Sequence, residues 1–141
     1  MDTNIQIKLG EWSELQADAQ AVRTAVFVDE QKIPAELEWD MMDAQCLHAV
    51  AYDAQGKPIG TGRLLPDGHI GRMAVLSAAR SCGVGAEILR QLMAQAKMRG
   101  MHSVQLNAQI SAEPFYQREG FNREGELFME AGIQHVHMNK S

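Results

Sequence analysis

Arg80-Ser81-Cys82-Gly83-Val84-Gly85-Ala86 sets a cation and two glycines where an extended segment gives way to a helix. The first N–H groups of a helix have no intrahelical partner and lie at the positive end of its macrodipole. Glycines at 83 and 85 let a ligand approach that backbone, and Arg80 adds a fixed positive charge. The chemistry implied is capture of a phosphate or pyrophosphate. This is no P-loop, because Gly-Lys-Ser/Thr is missing. It is no dinucleotide fingerprint either, because Ile88 stands at the third glycine position. A bare Gly-x-Gly before a helix also reads as a tight turn.

Other reactive side chains are grouped along the chain. Asp29, Glu30, Glu36, Glu38, Asp40 and Asp43 face the single base Lys32 between them, an excess that accounts for the whole net charge of −5. Such a segment speaks against a nucleic-acid partner and suits a cationic substrate. It reads equally as a solvated acidic loop. Cys46 and Cys82 form no disulfide framework and no zinc spacing, and a thiol in a phosphate loop points poorly for carrying an acyl group. His135 and His137 share one face of a strand with no third ligand in sight, so no metal is expected.

The elements that must position these groups follow from periodicity. Ile5, Ile7 and Leu9 alternate as a strand, and Trp12 to Val28 carries a helical stripe with Ser13 as cap. Asp29 to Asp43 reads as a loop with a short helix. Strands Leu47–Tyr52, Ile59–Leu65 and His69–Val75 are separated by turn chemistry at 53–58 and 66–68, which predicts an antiparallel meander. A helix from Val84 to Arg99 ends at Gly100. Ser103–Ala108 is a strand, Ala112–Glu119 a short helix with Pro114 in its first turn, and Phe121–Phe128 and Ile133–Asn139 are strands. The expectation is one mixed α/β domain over residues 1–141, with a largely antiparallel sheet of about seven strands and about four flanking helices. Met1 to Leu9 lacks the layout of a signal peptide and no apolar run could span a bilayer, so a cytoplasmic protein without a membrane partner is expected.

Two segments together resemble the GNAT superfamily of N-acetyltransferases. Arg-x-x-Gly-x-Gly-Ala at 80–86 is similar to its CoA-pyrophosphate motif. Ala112-Glu113-Pro114-Phe115-Tyr116-Gln117-Arg118-Glu119-Gly120-Phe121 is similar to its Ala-x-x-Phe-Tyr-x-x-x-Gly-Phe element, at the family's usual separation. Val26-Phe27-Val28-x-Glu30-Gln31, Gly60-Thr61-Gly62-Arg63-Leu64 and Leu106-Asn107-Ala108-Gln109 resemble a bacterial subgroup of undefined substrate.

The resemblance implies acetyl-CoA as acyl donor, a primary amine as acceptor and a homodimer. It implies that Arg80 to Ala86 hold the pyrophosphate and that the backbone of Met73-Ala74-Val75 meets the pantetheine arm and thioester. It makes Tyr116, beside Phe115, the acid that protonates the departing thiolate. A phenol of pKa roughly 10 suits a thiol of roughly 8.5. The family's asparagine before the helix alanine is replaced by Gln109, with Asn107 two residues earlier, so either amide is a candidate for that contact. An amine nucleophile also needs a proton acceptor, for which Glu30, Glu38, Asp40, Asp43 and His48 are candidates. Glu30 and His48 are assigned to catalysis, and Glu38, Asp40, Asp43 and Arg63 to the substrate.

A rival resemblance lies within the same fold. Arg23, Phe27, Glu38-x-Asp40-x-x-Asp43 and Arg63-Leu64-Leu65-Pro66 are similar to the electrostatic network of acyl-homoserine-lactone synthases, which implies S-adenosylmethionine; those enzymes are longer. A CoA-binding regulatory domain without turnover is the non-enzymatic alternative.

Overall fold

The computed structural model describes residues 5–38, 40–80 and 82–141, and at 38 the backbone alone. The alternating N-terminus forms β1 (Gln6–Gly10), which pairs antiparallel with β2 (Leu47–Tyr52). β3 (Pro58–Leu64) and β4 (Ile70–Val75) continue the antiparallel meander. A second antiparallel sheet holds β5 (Val104–Gln109), β6 (Asn122–Glu130) and β7 (Ile133–Lys140) in the order β5-β7-β6. The helices are α1 (Trp12–Arg23), α2 (Ala35–Glu38), α3 (Val84–Met98) and α4 (Glu113–Arg118). Seven strands and four α-helices among the described residues match the expected mixed architecture, divided between two sheets.

The division falls between β4 and β5. These strands run parallel and meet at one bridge, His69 to Gln105, where the Gln105 N–H donates to the Gly68 carbonyl at 3.0 Å. No ladder between them continues past that bridge among the described residues, so their later residues part and leave a cleft.

α1 and α3 cover opposite faces. Leu15 and Ala19 of α1 pack with Val50 and Tyr52, and Val22 joins Val26, Phe27 and Ile33 around Ala74. On the other face Val84, Ile88, Leu89 and Leu92 of α3 join Ala49, Ala51 and Leu64 with Leu106, Ala108, Val136 and Met138 of the second sheet. Each such aliphatic side chain contributes roughly 1.5–3 kcal/mol when fully buried. One core therefore ties both sheets to α3. Close approach of α3 dictates the glycines of β3. A Cβ on Gly60 would lie 2.8 Å from Ile88 Cδ1, and one on Gly62 2.5 Å from Met73 Sδ and 3.0 Å from Ile88 Cγ2. Only a bare backbone fits there.

Two local expectations are corrected. Ser13 does not cap α1; Glu11 is its N-cap, and the Glu14 carboxylate accepts from the Glu11 N–H at 3.2 Å. The predicted helix to Val28 is α-helical only to Arg23 and continues as a π-helix over Thr24–Glu30, where the Gln31 N–H reaches the Val26 carbonyl at 2.9 Å. The wider turn lets the adjacent residues Val26 and Phe27 both enter the cluster around Ala74.

Candidate active site

The cleft is bounded by the end of β4, the start of α3, α4 and β5. β4 bends at a bulge. Thr61 pairs with Ala74 and Arg63 with Gly71, so Gly62 alone opposes Arg72 and Met73, with Arg72 in the left-handed region at φ 50°. Ala74 turns into the apolar cluster beneath the π-helix, while Met73 turns toward Gly62 and α3. Nothing in the residue types of β4 marks this bulge; it arises in pairing with β3.

Gly83 forms the N-cap of α3 at φ 80° and ψ 6°, with no side-chain cap on the first turn. The amides of Val84, Gly85 and Ala86 therefore lack an intrahelical partner. A Cβ on Gly83 would meet nothing within 4 Å, so this glycine is required by its backbone conformation rather than by crowding. At Gly85 the neighbours are Phe115 Cζ and Val75 Cγ2, each 3.6 Å from an added Cβ. Val75, Gly85 and Phe115 thus converge at the donor side. Cys82 is exposed beside them, and Ser81 lies outside the described residues.

Arg80 does not stand free for phosphate. Its guanidinium donates to both Glu30 oxygens at 2.7 and 2.6 Å, and its Nε to the Val75 carbonyl at 3.0 Å. Those hydrogen bonds hold the Glu30 carboxyl below its ordinary range and raise Arg80. Glu30, assigned to catalysis from the sequence, is thus engaged in an ion pair with Arg80. A cavity of about 420 Å³ opens beside the pair, lined by Val26, Glu30, Leu76 and Ser77.

His48 is enclosed. The residue is 1% exposed, its Nε2–H donates to the Asp43 carbonyl at 2.8 Å and Trp12 covers the ring at 4.7 Å. Burial pulls its pKa down. The acids assigned to a cationic substrate are engaged as well. Asp43 accepts from Arg23 and Arg63, each at 2.8 Å, and Asp40 accepts from Arg63 at 2.8 and 2.9 Å and from Arg72 at 3.3 Å. Hydrogen bonds from Arg63 hold the Asp40 carboxyl down at about 2. Burial works against the charge on Arg63, but its bonds to Asp40 and Asp43 win and its pKa rises. The segment that looks acidic in sequence is largely neutralised in three dimensions. Of its acids, Asp29, Glu30, Glu36 and Asp40 are exposed, Glu30 and Asp40 among them paired with arginines, and the Glu38 side chain lies outside the described residues.

Tyr116 is 8% exposed and meets Phe115 and Phe121 edge-on at 5.0 and 5.9 Å. Burial raises its pKa, which keeps the phenol protonated and able to donate. α4 is held by paired hydrogen bonds, Arg123 to Glu113 at 2.7 and 2.6 Å. The two candidate amides of β5 face the α1 side: Gln109 donates to Gln31 at 2.8 Å, and Asn107 accepts from His137 Nδ1 at 2.9 Å. Across from them stand His135 and His137. No group of three or more His, Cys, Asp or Glu among the described residues could hold a metal ion, and no helix there is long and apolar enough to cross a membrane.

The chain and its fold as a whole have counterparts in known proteins. The acetyltransferase (GNAT) domain model matches residues 14–141. An uncharacterized N-acetyltransferase of Bacillus subtilis (strain 168), YjcF, is 42% identical over 127 residues, covering 87% of this chain and 90% of that protein. Among solved structures, an acyl-CoA N-acyltransferase from Pseudomonas aeruginosa superposes with a TM-score of 0.84 at 30% identity, over 97% of this chain and 99% of that one. Escherichia coli ElaA gives 0.85 at 27% identity, with 97% and 99% coverage. The chain belongs to the GNAT acetyltransferase family and is an acyltransferase.

Proposed function

We propose that this enzyme transfers an acetyl group from acetyl-CoA to a primary amine of a small molecule or peptide, by direct attack within a ternary complex. The observation that carries the reading is the meeting of the uncapped α3 N-terminus with the parting of β4 and β5. The site fits the donor: the left-handed Gly83 leaves open space above amides that have no intrahelical partner. Val84, Gly85 and Ala86 would hold the pyrophosphate, with Arg80, Ser81 and Cys82 forming the loop around it. The backbone of Met73, Ala74 and Val75, bent by the bulge, would meet the pantetheine arm and offer N–H donors to the thioester oxygen. Bound acetyl-CoA supplies the acetyl group as an activated thioester. Tyr116 would protonate the thiolate as it leaves, and Phe115 would pack against the cofactor.

Two assignments change in this reading. Arg63, Asp40 and Asp43 shape the acceptor side as an interlocked wall, and among the described side chains of that segment Asp29 and Glu36 support a cationic acceptor. Asn107 and Gln109 face the acceptor side, where they would order the acceptor. A cytoplasmic homodimer without nucleic-acid or membrane partners completes the proposal.

The test has two arms. Acetyl-CoA at millimolar concentration should raise the melting temperature, and the absence of a shift would sink the donor assignment. A thiol-release screen against polyamines, aminoglycosides, amino acids and peptide N-termini should then identify an acceptor. Binding without release for every amine would favour the regulatory reading. The observed network of Arg23, Asp40, Asp43 and Arg63 gives the synthase reading its one specific support, and S-adenosylmethionine binding would favour it.

A further inference from the structure

We infer that His135 is the proton acceptor for the attacking amine, an inference that rests on the acetyl-transfer reading above. Its ring is anchored in a way that decides its tautomer. The residue is 6% exposed, and its Nδ1 lies 2.7 Å from the Ile133 carbonyl. A carbonyl oxygen only accepts, so Nδ1 carries the proton and the neutral ring keeps its lone pair on Nε2. Phe128 stacks on the ring at 5.7 Å and 26°, which fixes its plane. Nε2 has the Glu130 carboxylate at 3.8 Å, beyond hydrogen-bond distance. The result is a buried, oriented imidazole with its lone pair on Nε2.

Register places it at the right height in the cleft. His135 pairs with Gln109 of β5, and Gln109 lies four residues past the Gln105 bridge to His69. Four residues along β4 from His69 is Met73, in the bulge. The imidazole therefore stands level with the strand end assigned to the thioester. It stands two strand spacings to the side, about 10 Å before the parting of β4 and β5 is added. An acceptor amine lying over β5, with one water, fills that span. Ile133, two residues before His135, packs into the cluster of Phe27, Ile33 and Ala74, which closes the same end of the cleft. The groups facing the imidazole are Glu130 from β6 and the neutral Gln109 from β5. One pair further along the same face lie His137 and Glu124.

The step balances. The neutral amine nitrogen forms the N–C bond, the C–S bond breaks with its electron pair on sulfur, and one N–H proton passes to Nε2 directly or through that water. Tyr116 gives its phenolic proton to the thiolate. The imidazolium then loses its proton to solvent and the phenolate regains one, leaving amide and free thiol.

The test uses the full chain with acetyl-CoA and the most active amine of the screen. His135→Gln should lower kcat by about 10²–10³-fold. The KM for acetyl-CoA and its thermal shift should stay as in the wild type. The wild-type rate should rise with pH as an imidazole loses its proton, and that limb should vanish in the variant. Imidazole added to His135→Ala should restore part of the rate. A kcat within threefold of wild type, or an unchanged limb, would overturn the inference while leaving the acetyltransferase reading intact. Absence of thiol release by the wild type itself would overturn both. Should the variants fail to fold, long-range ¹H–¹⁵N spectra of the wild type decide: an Nδ1–H tautomer is expected, and an Nε2–H tautomer overturns the assignment.

Discussion

Arg80 and Glu30 meet fork to fork, with both terminal guanidinium nitrogens within 2.7 Å of the carboxylate, and so tie the end of the π-helix to the loop that leads into α3. The cation proposed for the donor phosphates already has an anion, and the two must compete for it. Glu30→Gln should therefore tighten acetyl-CoA binding by up to about fivefold, the scale of an exposed ion pair. Arg80→Ala should weaken it. Calorimetric titration at two salt concentrations checks both, and weaker binding by Glu30→Gln would mean that the carboxylate only orients the arginine.

Gly83 separates backbone strain from charge. At φ 80° Asn and Asp are the side chains best tolerated, and nothing obstructs them. Gly83→Asn and Gly83→Asp should both fold, and Asp, by favouring the helix dipole, should be at least as stable as Asn. The thermal shift given by acetyl-CoA should shrink with Asn and disappear with Asp, because only Asp sets an anion against the phosphates.

Tyr116→Phe should lower kcat by at least about tenfold while leaving the KM for acetyl-CoA unchanged. Steady-state thiol release measures both. A fall in affinity with kcat preserved would assign the residue to packing beside Phe115 and Phe121.

The Asp43 carboxylate neutralises two guanidinium groups in a nearly dry setting. Asp43→Ala should cost about 3–5 kcal/mol of folding free energy in urea titrations, because Arg23 and Arg63 would keep buried charges without it. Asp40 adds a pH signature. Its carboxyl is held at about 2 against an ordinary 3.8, so its contribution is full above the ordinary value and is lost as pH falls toward 2. Asp40→Asn should flatten the loss of stability across that window.

Gly62→Ala tests how closely α3 lies on β3. The new methyl would press on Met73 Sδ, Ile88 and Leu92 and should cost about 1–3 kcal/mol. Met73→Ala in the same chain should recover part of it, and strict additivity of the two changes would argue against that contact.

What was legible in the sequence was local. The uncapped glycine before an amphipathic stripe foretold α3, Pro114 placed α4, and alternation with turn residues placed the strands of both sheets. What was not legible depends on partners far along the chain. Asp40 and Asp43 looked like an open acidic field because Arg23, Arg63 and Arg72, which neutralise them, lie elsewhere in sequence. The cover that Trp12 gives His48 has no signal in the sequence either. The His135 side chain showed only period-two spacing with His137. The carbonyl of Ile133 and the ring of Phe128, which give it direction, follow from the β6–β7 register. The bulge at Arg72 had no signal at all, since β-pairing irregularity is a property of two strands.

The parting of β4 from β5 has a consequence for solubility. Strand edges are where foreign chains add and aggregates begin. Here two such edges are turned toward each other inside the molecule, linked at His69 and Gln105 and walled by α3 and the π-helix. A small ligand can enter between them, whereas another protein's strand has no straight approach. Facing each other, these two edges are withheld from the neighbours that would polymerise on them.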